Sequence, residues 1–135
     1  MKPRSLPRHL LRLVAVLTCA AIPLSCGGGG SSSPPATIPA GAVVVKAGPG
    51  LVLDQSQYVA TATAGQVVIA YVQQDTQRHT LAVKDSSGII VGKKLVVVKK
   101  GDIDIGTYTF APGTYEMIYC DVPGHSSMKA TLQVN

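Results

Sequence analysis

From Ala42 to Val134 the chain alternates between short apolar, β-branched runs and clusters of Gly, Pro, Asp and Ser, and no window of about 11 residues or more carries a 3.6-residue period. The runs predict strands at Ala42 to Lys46, Gln57 to Thr63, Gln66 to Gln74, His79 to Lys84, Lys94 to Lys100, Ile103 to Phe110, Thr114 to Cys120 and Lys129 to Val134. Seven to eight strands of this length, joined by turn residues and without helices, predict an all-β sandwich closed over one core. Lys93, Lys94, Lys99 and Lys100 flank the apolar LVVV run, a charge placement that discourages pairing at a sheet edge. Asp102 and Asp104 alternate with Ile103 and Ile105, so this carboxylate pair is read as the wet face of a strand and not as an acid-base site. By the same alternation Met117, between Tyr115 and Tyr119, is read as a packing residue.

The first 25 residues follow another pattern. Lys2, Arg4, Arg8 and Arg12 precede an uncharged run whose apolar part, Leu13 to Leu24, is far shorter than the roughly 20 residues that cross a bilayer. Residues 1–25 are therefore read as a secretory signal peptide. Leu24-Ser25-Cys26, followed by GGGGSSSPP, resembles a bacterial lipoprotein signal, which implies that Cys26 is the acylated N-terminus and lipid anchor. An ordinary signal peptide cut near Ala20 or Ala21 would leave Cys26 a free thiol, and both readings export the protein to the periplasm or cell surface. Residues 26–40 lack the apolar content for a core and are expected to form a flexible Gly/Ser/Pro tether with a reach of roughly 20 Å, leaving residues 41–135 as the domain.

This division changes the meaning of the composition. The chain of 135 residues carries 12 Lys+Arg against 7 Asp+Glu, a net charge of +5. The leader removes four of the cations and none of the acids, so the exported part stands at eight against seven, close to neutral. Nothing then points to nucleic acid, since neither an Arg-rich cluster nor a set of stacking aromatics is present. The length allows one modest core and excludes a multidomain enzyme.

Ligand-type residues are scarce in the exported part, being His79 and His125, Cys26 and Cys120, Met117 and Met128. Three of them fall in the nine residues Cys120-Asp-Val-Pro-Gly-His125-Ser-Ser-Met128, where Pro123-Gly124 turns the chain between two strands. One loop can thus aim a thiolate, an imidazole and a thioether at one point, with His79 brought in by sheet packing. Two imidazoles, one thiolate and a weak thioether are the donor set of a mononuclear blue copper centre. Zinc would instead favour a carboxylate or water over the thioether, and iron–sulfur clusters need several thiolates.

The segment YCDVPGHSSMKATLQV resembles the C-terminal copper loop of the cupredoxins, such as plastocyanin, azurin, amicyanin and auracyanin. APGTYEMIYC is similar to their penultimate strand, and QQDTQRHTLAVKD to the segment that carries their upstream ligand. The resemblance implies a cupredoxin-like Greek-key β-sandwich. It further implies one copper ion with His79, Cys120 and His125 as equatorial ligands and Met128 as the axial one. Thr80 stands where many members have Asn, so a different hydrogen-bonding role near the Cys sulfur is expected. Arg78 precedes the first ligand where a small residue or Pro is common, and the His125 to Met128 interval is short.

Four protein ligands leave no open coordination position, so a non-enzymatic electron carrier is expected. Two histidines are too few for the additional copper of nitrite reductases or multicopper oxidases, and Gly124 stands where a binuclear centre would need a second Cys. The expected partners are redox proteins such as cytochromes or membrane electron-transfer complexes, approached by a monomer that is held to a membrane through its lipid anchor. The alternative from the same residues is copper buffering or delivery without electron transfer.

Overall fold

The computed structural model describes residues 36–135. The expected signal peptide, the expected anchor residue Cys26 and the expected tether up to Pro35 lie outside the described residues. Eight strands follow one another: β1 (Val43–Ala47), β2 (Gln57–Ala60), β3 (Gln66–Gln73), β4 (His79–Lys84), β5 (Ile90–Val97), β6 (Ile103–Thr109), β7 (Gly113–Tyr119) and β8 (Lys129–Val134). They form a three-stranded sheet in the order β1-β3-β6 and a five-stranded sheet in the order β2-β8-β7-β4-β5. β1 with β3 and β2 with β8 pair in parallel, and the remaining pairs are antiparallel. Among the described residues there is no helix.

The apolar runs that mark the strands also build the core. Val45 and Ala47 of β1 and Val67, Ile69 and Tyr71 of β3 share one buried cluster with Leu81, Val83, Leu95, Val97, Ile118 and Leu132 of the larger sheet. β4 is buried from His79 through Val83, as befits an inner strand covered on both faces. Tyr71 spans the sandwich and donates its hydroxyl to the Thr80 carbonyl at 3.2 Å. Burial, reinforced by the neighbouring Cys120 charge, pushes its phenol far above the usual range, so it remains a donor.

Tyr108 closes the side of the sandwich where β5 and β6 meet, its hydroxyl donating to the Lys93 carbonyl at 2.9 Å. Its ring lies against two glycines of different strands. A Cβ at Gly92 would stand 2.6 Å from the ring, and one at Gly106 would stand 2.8 Å from it. This explains why β5 begins at Ile90 and not at Lys94 as the sequence predicts. Gly92, just upstream of the predicted start, is the gap that admits an aromatic ring, while Val91 and Ile90 pair with Val83 and Lys84.

The other end of β5 also differs from expectation, stopping at Val97 and not at Lys100. The Asp102 carboxylate accepts the N–H groups of Val98 (3.0 Å) and Lys99 (2.8 Å) and turns the chain. Asp104 accepts the Val96 N–H at 2.9 Å and the Lys93 ammonium at 2.9 Å. The two carboxylates are thus half-buried caps on the exposed edge of β5, and the predicted wet face is in fact a seam between the sheets. Lys94, the neighbour of Lys93, pairs with Asp121.

The hydrogen bonds from Lys99 and Val98 hold the Asp102 carboxyl below its ordinary value. A depressed folded pKa contributes stability that is present above the unfolded value of about 3.9 and is lost as pH falls through the folded one. Asp102→Ala is accordingly expected to be less stable than the parent at pH 7, with the difference shrinking below about pH 4. Urea titrations at pH 7, 5 and 3 check this, and a difference that does not depend on pH would contradict it.

Each loop that follows an odd-numbered strand lies at one end of the sandwich. The Gln74 N–H donates to Ala47 C=O (2.9 Å), Gln73 N–H to Asp102 C=O (2.9 Å) and Ser127 Oγ to Leu51 C=O (2.9 Å). The loops after β1, β3, β5 and β7 are thereby bonded into one rim, and the ligand-type residues are in it.

Candidate metal centre

Cys120 directly follows the last residue of β7, and Met128 directly precedes the first of β8. The bond that closes this loop runs between them, from the Cys120 N–H to the Met128 carbonyl at 3.1 Å. Inside it the His125 N–H donates to Val122 C=O at 3.0 Å and the Met128 N–H to His125 C=O at 2.9 Å. Gly124 takes a φ of +88°, the left-handed conformation that the turn after Pro123 requires. Three successive bonds and one glycine therefore set where the thiol, the imidazole and the thioether start. His79 arrives from the neighbouring strand as the first residue of β4, which pairs with β7 through Ala82 and Tyr119.

The side chains converge. His79 Nδ1 and His125 Nδ1 lie 3.1 Å apart, and Cys120 Sγ lies 3.4 Å from His125 Nδ1. The ligand atoms of His79, Cys120 and His125 all fall within 4.8 Å of one another, and all three residues are buried. Among the described residues this is the one such group of His, Cys, Asp or Glu side chains. Met128 is fully buried at the end of the same loop. Cys120 is a free thiol.

Two imidazole nitrogens and a thiol gathered in a dry place are poor company for each other without a cation. A proton can serve one contact between the two Nδ1 atoms and leaves the remaining lone pairs unsatisfied. A soft or borderline cation accepts all of them at once, so the residues present fit a copper ion by donor chemistry as well as by position. All four ligand-type residues are buried, His79 and Met128 at 0% exposure, Cys120 at 5% and His125 at 7%, so His125 is the least covered of them. Val122 is half-buried, Pro123 and Gly124 are exposed beside it, and Val52 stands exposed on the neighbouring loop that Ser127 ties in.

Thr80 lies against the sulfur. Its N–H lies 3.4 Å and its hydroxyl 3.5 Å from Cys120 Sγ. The hydroxyl proton also has Asp121 Oδ1 at 2.5 Å, a shorter charge-assisted bond, so the sulfur receives the backbone N–H. The Thr80 oxygen in turn accepts the Asp121 N–H at 3.0 Å. Bonds from Lys94 and then Thr80 hold the Asp121 carboxyl below its usual range. The side chain at position 80 therefore locks the start of the ligand loop to β4.

One residue of the site was not legible beforehand. The Asp75 carboxylate reaches His79 Nε2 with both oxygens, at 3.0 and 3.1 Å. Although burial opposes its charge, the Gln77 N–H and the His79 ring hold its carboxyl below the ordinary value. A spacing of four residues places such a pair together on a helix, but here it spans a loop, and only the turn formed by Asp75 Oδ1 accepting the Gln77 N–H at 2.9 Å brings the two together.

No protein-family model matches the sequence, and no curated protein sequence matches it significantly. Solved structures do match. Auracyanin from the photosynthetic bacterium Roseiflexus castenholzii superimposes with a TM-score of 0.59 at 18% identity, over 71% of this chain and 98% of that one. Auracyanin A, a "blue" copper protein from Chloroflexus aurantiacus, gives 0.58 at 20% identity, over 70% and 98%. Amicyanin from Paracoccus versutus gives 0.53 at 19% identity, over 73% and 85%. The likeness at these identities lies in the backbone, and the sandwich is the cupredoxin fold predicted from the loop and strand motifs.

Proposed function

We propose that this cupredoxin-fold chain holds one copper ion with His79, Cys120, His125 and Met128 and carries single electrons between redox proteins of the cell envelope. The observation that carries the reading is the meeting of three buried ligand atoms, two nitrogens and one sulfur, within 4.8 Å at the rim of the sandwich. Copper at such a donor set supplies one-electron chemistry through its Cu(I) and Cu(II) states.

The chain supplies the rest. Thr80 N–H donates a hydrogen bond to the Cys120 sulfur and helps to hold it in place. The bonded rim of loops holds the ligand side chains in one arrangement, so little rearranges when the charge of the site changes by one. His125, the least covered of the four and with Val52, Val122, Pro123 and Gly124 near it, is the route by which electrons enter and leave. A near-neutral exported chain has little long-range steering, which suits short-lived encounters. The envelope setting rests on the basic, apolar leader and on Cys26 with the tether that follows it.

Voltammetry of the copper-loaded full chain tests this reading. One reversible one-electron wave is expected, with one copper per chain still bound after repeated cycles in the presence of a Cu(I) chelator. Prompt loss of Cu(I) to the chelator would instead select copper delivery. Copper uptake near zero would select a module that works without metal.

A further inference from the structure

We propose that Asp75 is the positioning residue of the upstream imidazole, fixing the His79 ring with Nδ1 toward Cys120 and His125 and favouring the divalent state of the metal held there. The second half rests on the copper reading above, whereas the first half concerns the chain alone.

Three segments build the place where this carboxylate sits. Its own loop is pinned on both sides, by the Gln74 N–H on Ala47 C=O at 2.9 Å and by the Gln77 N–H on Asp75 Oδ1 at 2.9 Å. Behind it, the Gln73 side-chain amide donates to the Gln77 carbonyl, while the Gln73 backbone exchanges bonds with the turn after β5, its N–H to Asp102 C=O and its C=O from Gly101 N–H, both at 2.9 Å. In front, Gly48 leaves the room. A Cβ there would collide with Asp75 Oδ2, and its φ of +76° favours glycine on its own account. The carboxylate therefore occupies a socket shared by the loops after β1, β3 and β5.

The chemistry follows from the ring. A neutral imidazole has one N–H and one lone pair. With an anionic acceptor at 3.0 and 3.1 Å the proton belongs on Nε2, which leaves the Nδ1 lone pair facing the site. A backbone carbonyl could set the same tautomer. The carboxylate adds a full negative charge behind a ring that is 0% exposed, where a charge is weakly screened and makes the ring a stronger donor. A stronger nitrogen donor stabilises Cu(II) more than Cu(I).

Asp75→Asn keeps the shape and one acceptor oxygen but removes the charge, and Asp75→Ala removes both. In the metal-free full chain, nitrogen NMR of the His79 ring should show the proton on Nε2 in the parent and in Asp75→Asn, and a mixture of tautomers in Asp75→Ala. In the copper-loaded chain, Asp75→Asn should lower the affinity for Cu(II) relative to Cu(I) by about tenfold, read as a potential about 59 mV higher, with the visible band retained. Gly48→Ala, which displaces the carboxylate without altering it, should move the potential in the same direction. A His79 proton on Nδ1 in the parent, or a potential unchanged in Asp75→Asn, would overturn the proposal. Should the parent take up no copper, the copper reading fails by itself, and the tautomer measurement still decides the role of Asp75.

Discussion

Cys120→Ala, given one equivalent of Cu(II), is expected to be colourless and to bind the ion more than about 100-fold more weakly than the parent. The thiolate is the one strongly donating soft ligand in the group, and the described residues offer no other free cysteine to replace it. The fold should survive. Removing a single sulfur atom leaves a small void, worth about 1 kcal/mol, and the loop remains closed by the backbone bond from residue 120 to Met128. Visible absorption, a competition titration and far-ultraviolet circular dichroism separate these effects. A coloured Cys120→Ala protein would place the copper elsewhere, and an unfolded one would mean that the thiol holds the loop.

Leu132→Ala should produce the largest loss of stability, about 2 to 5 kcal/mol. Leu132 is fully buried on β8, between Tyr58 of β2 and Tyr115 of β7, so its loss opens a cavity where three strands meet. Single domains of this size are held by only about 5 to 15 kcal/mol, so the metal-free variant should approach its unfolding threshold. Copper binding should add about 4 kcal/mol to variant and parent alike at a free concentration of 1,000 times the dissociation constant, lifting the variant away from that threshold while leaving the difference between the two unchanged. Denaturant titrations with and without copper check both statements. A loss below 1 kcal/mol would remove Leu132 from the core.

Much of this architecture can be read directly from residue patterns. Apolar, β-branched runs bounded by turn residues place β1 and β3, and period-2 alternation in KATLQV places β8, almost to the residue. Alternation says nothing of partners, and so the parallel pairings of β1 with β3 and β2 with β8 had no signal. The predicted start of β5 at Lys94 misled for a physical reason: a glycine such as Gly92, which makes room for Tyr108, is indistinguishable in sequence from one that ends a strand. Asp102 and Asp104 misled in a similar way, since half-buried caps on an edge keep the same alternation as a wet face.

The centre was legible to the extent that its residues are neighbours in the chain. Cys120, His125 and Met128 share one loop whose turn is written in Pro123-Gly124, and Thr80 is placed by its adjacency to His79. Asp75 could not be found that way. Its contact with His79 depends on the rim bonds to Ala47 and Asp102 and on the missing side chain of Gly48, all of which belong to other loops.

The spectrum of the full chain with one equivalent of Cu(II) tests the copper centre most directly. A thiolate and two imidazoles around one ion predict an intense visible band from sulfur-to-copper charge transfer, accompanied by a small copper hyperfine splitting in the electron paramagnetic resonance spectrum. A faint band with a large splitting, as given by nitrogen and oxygen ligands alone, would contradict the assignment of Cys120, His79 and His125 as one copper site.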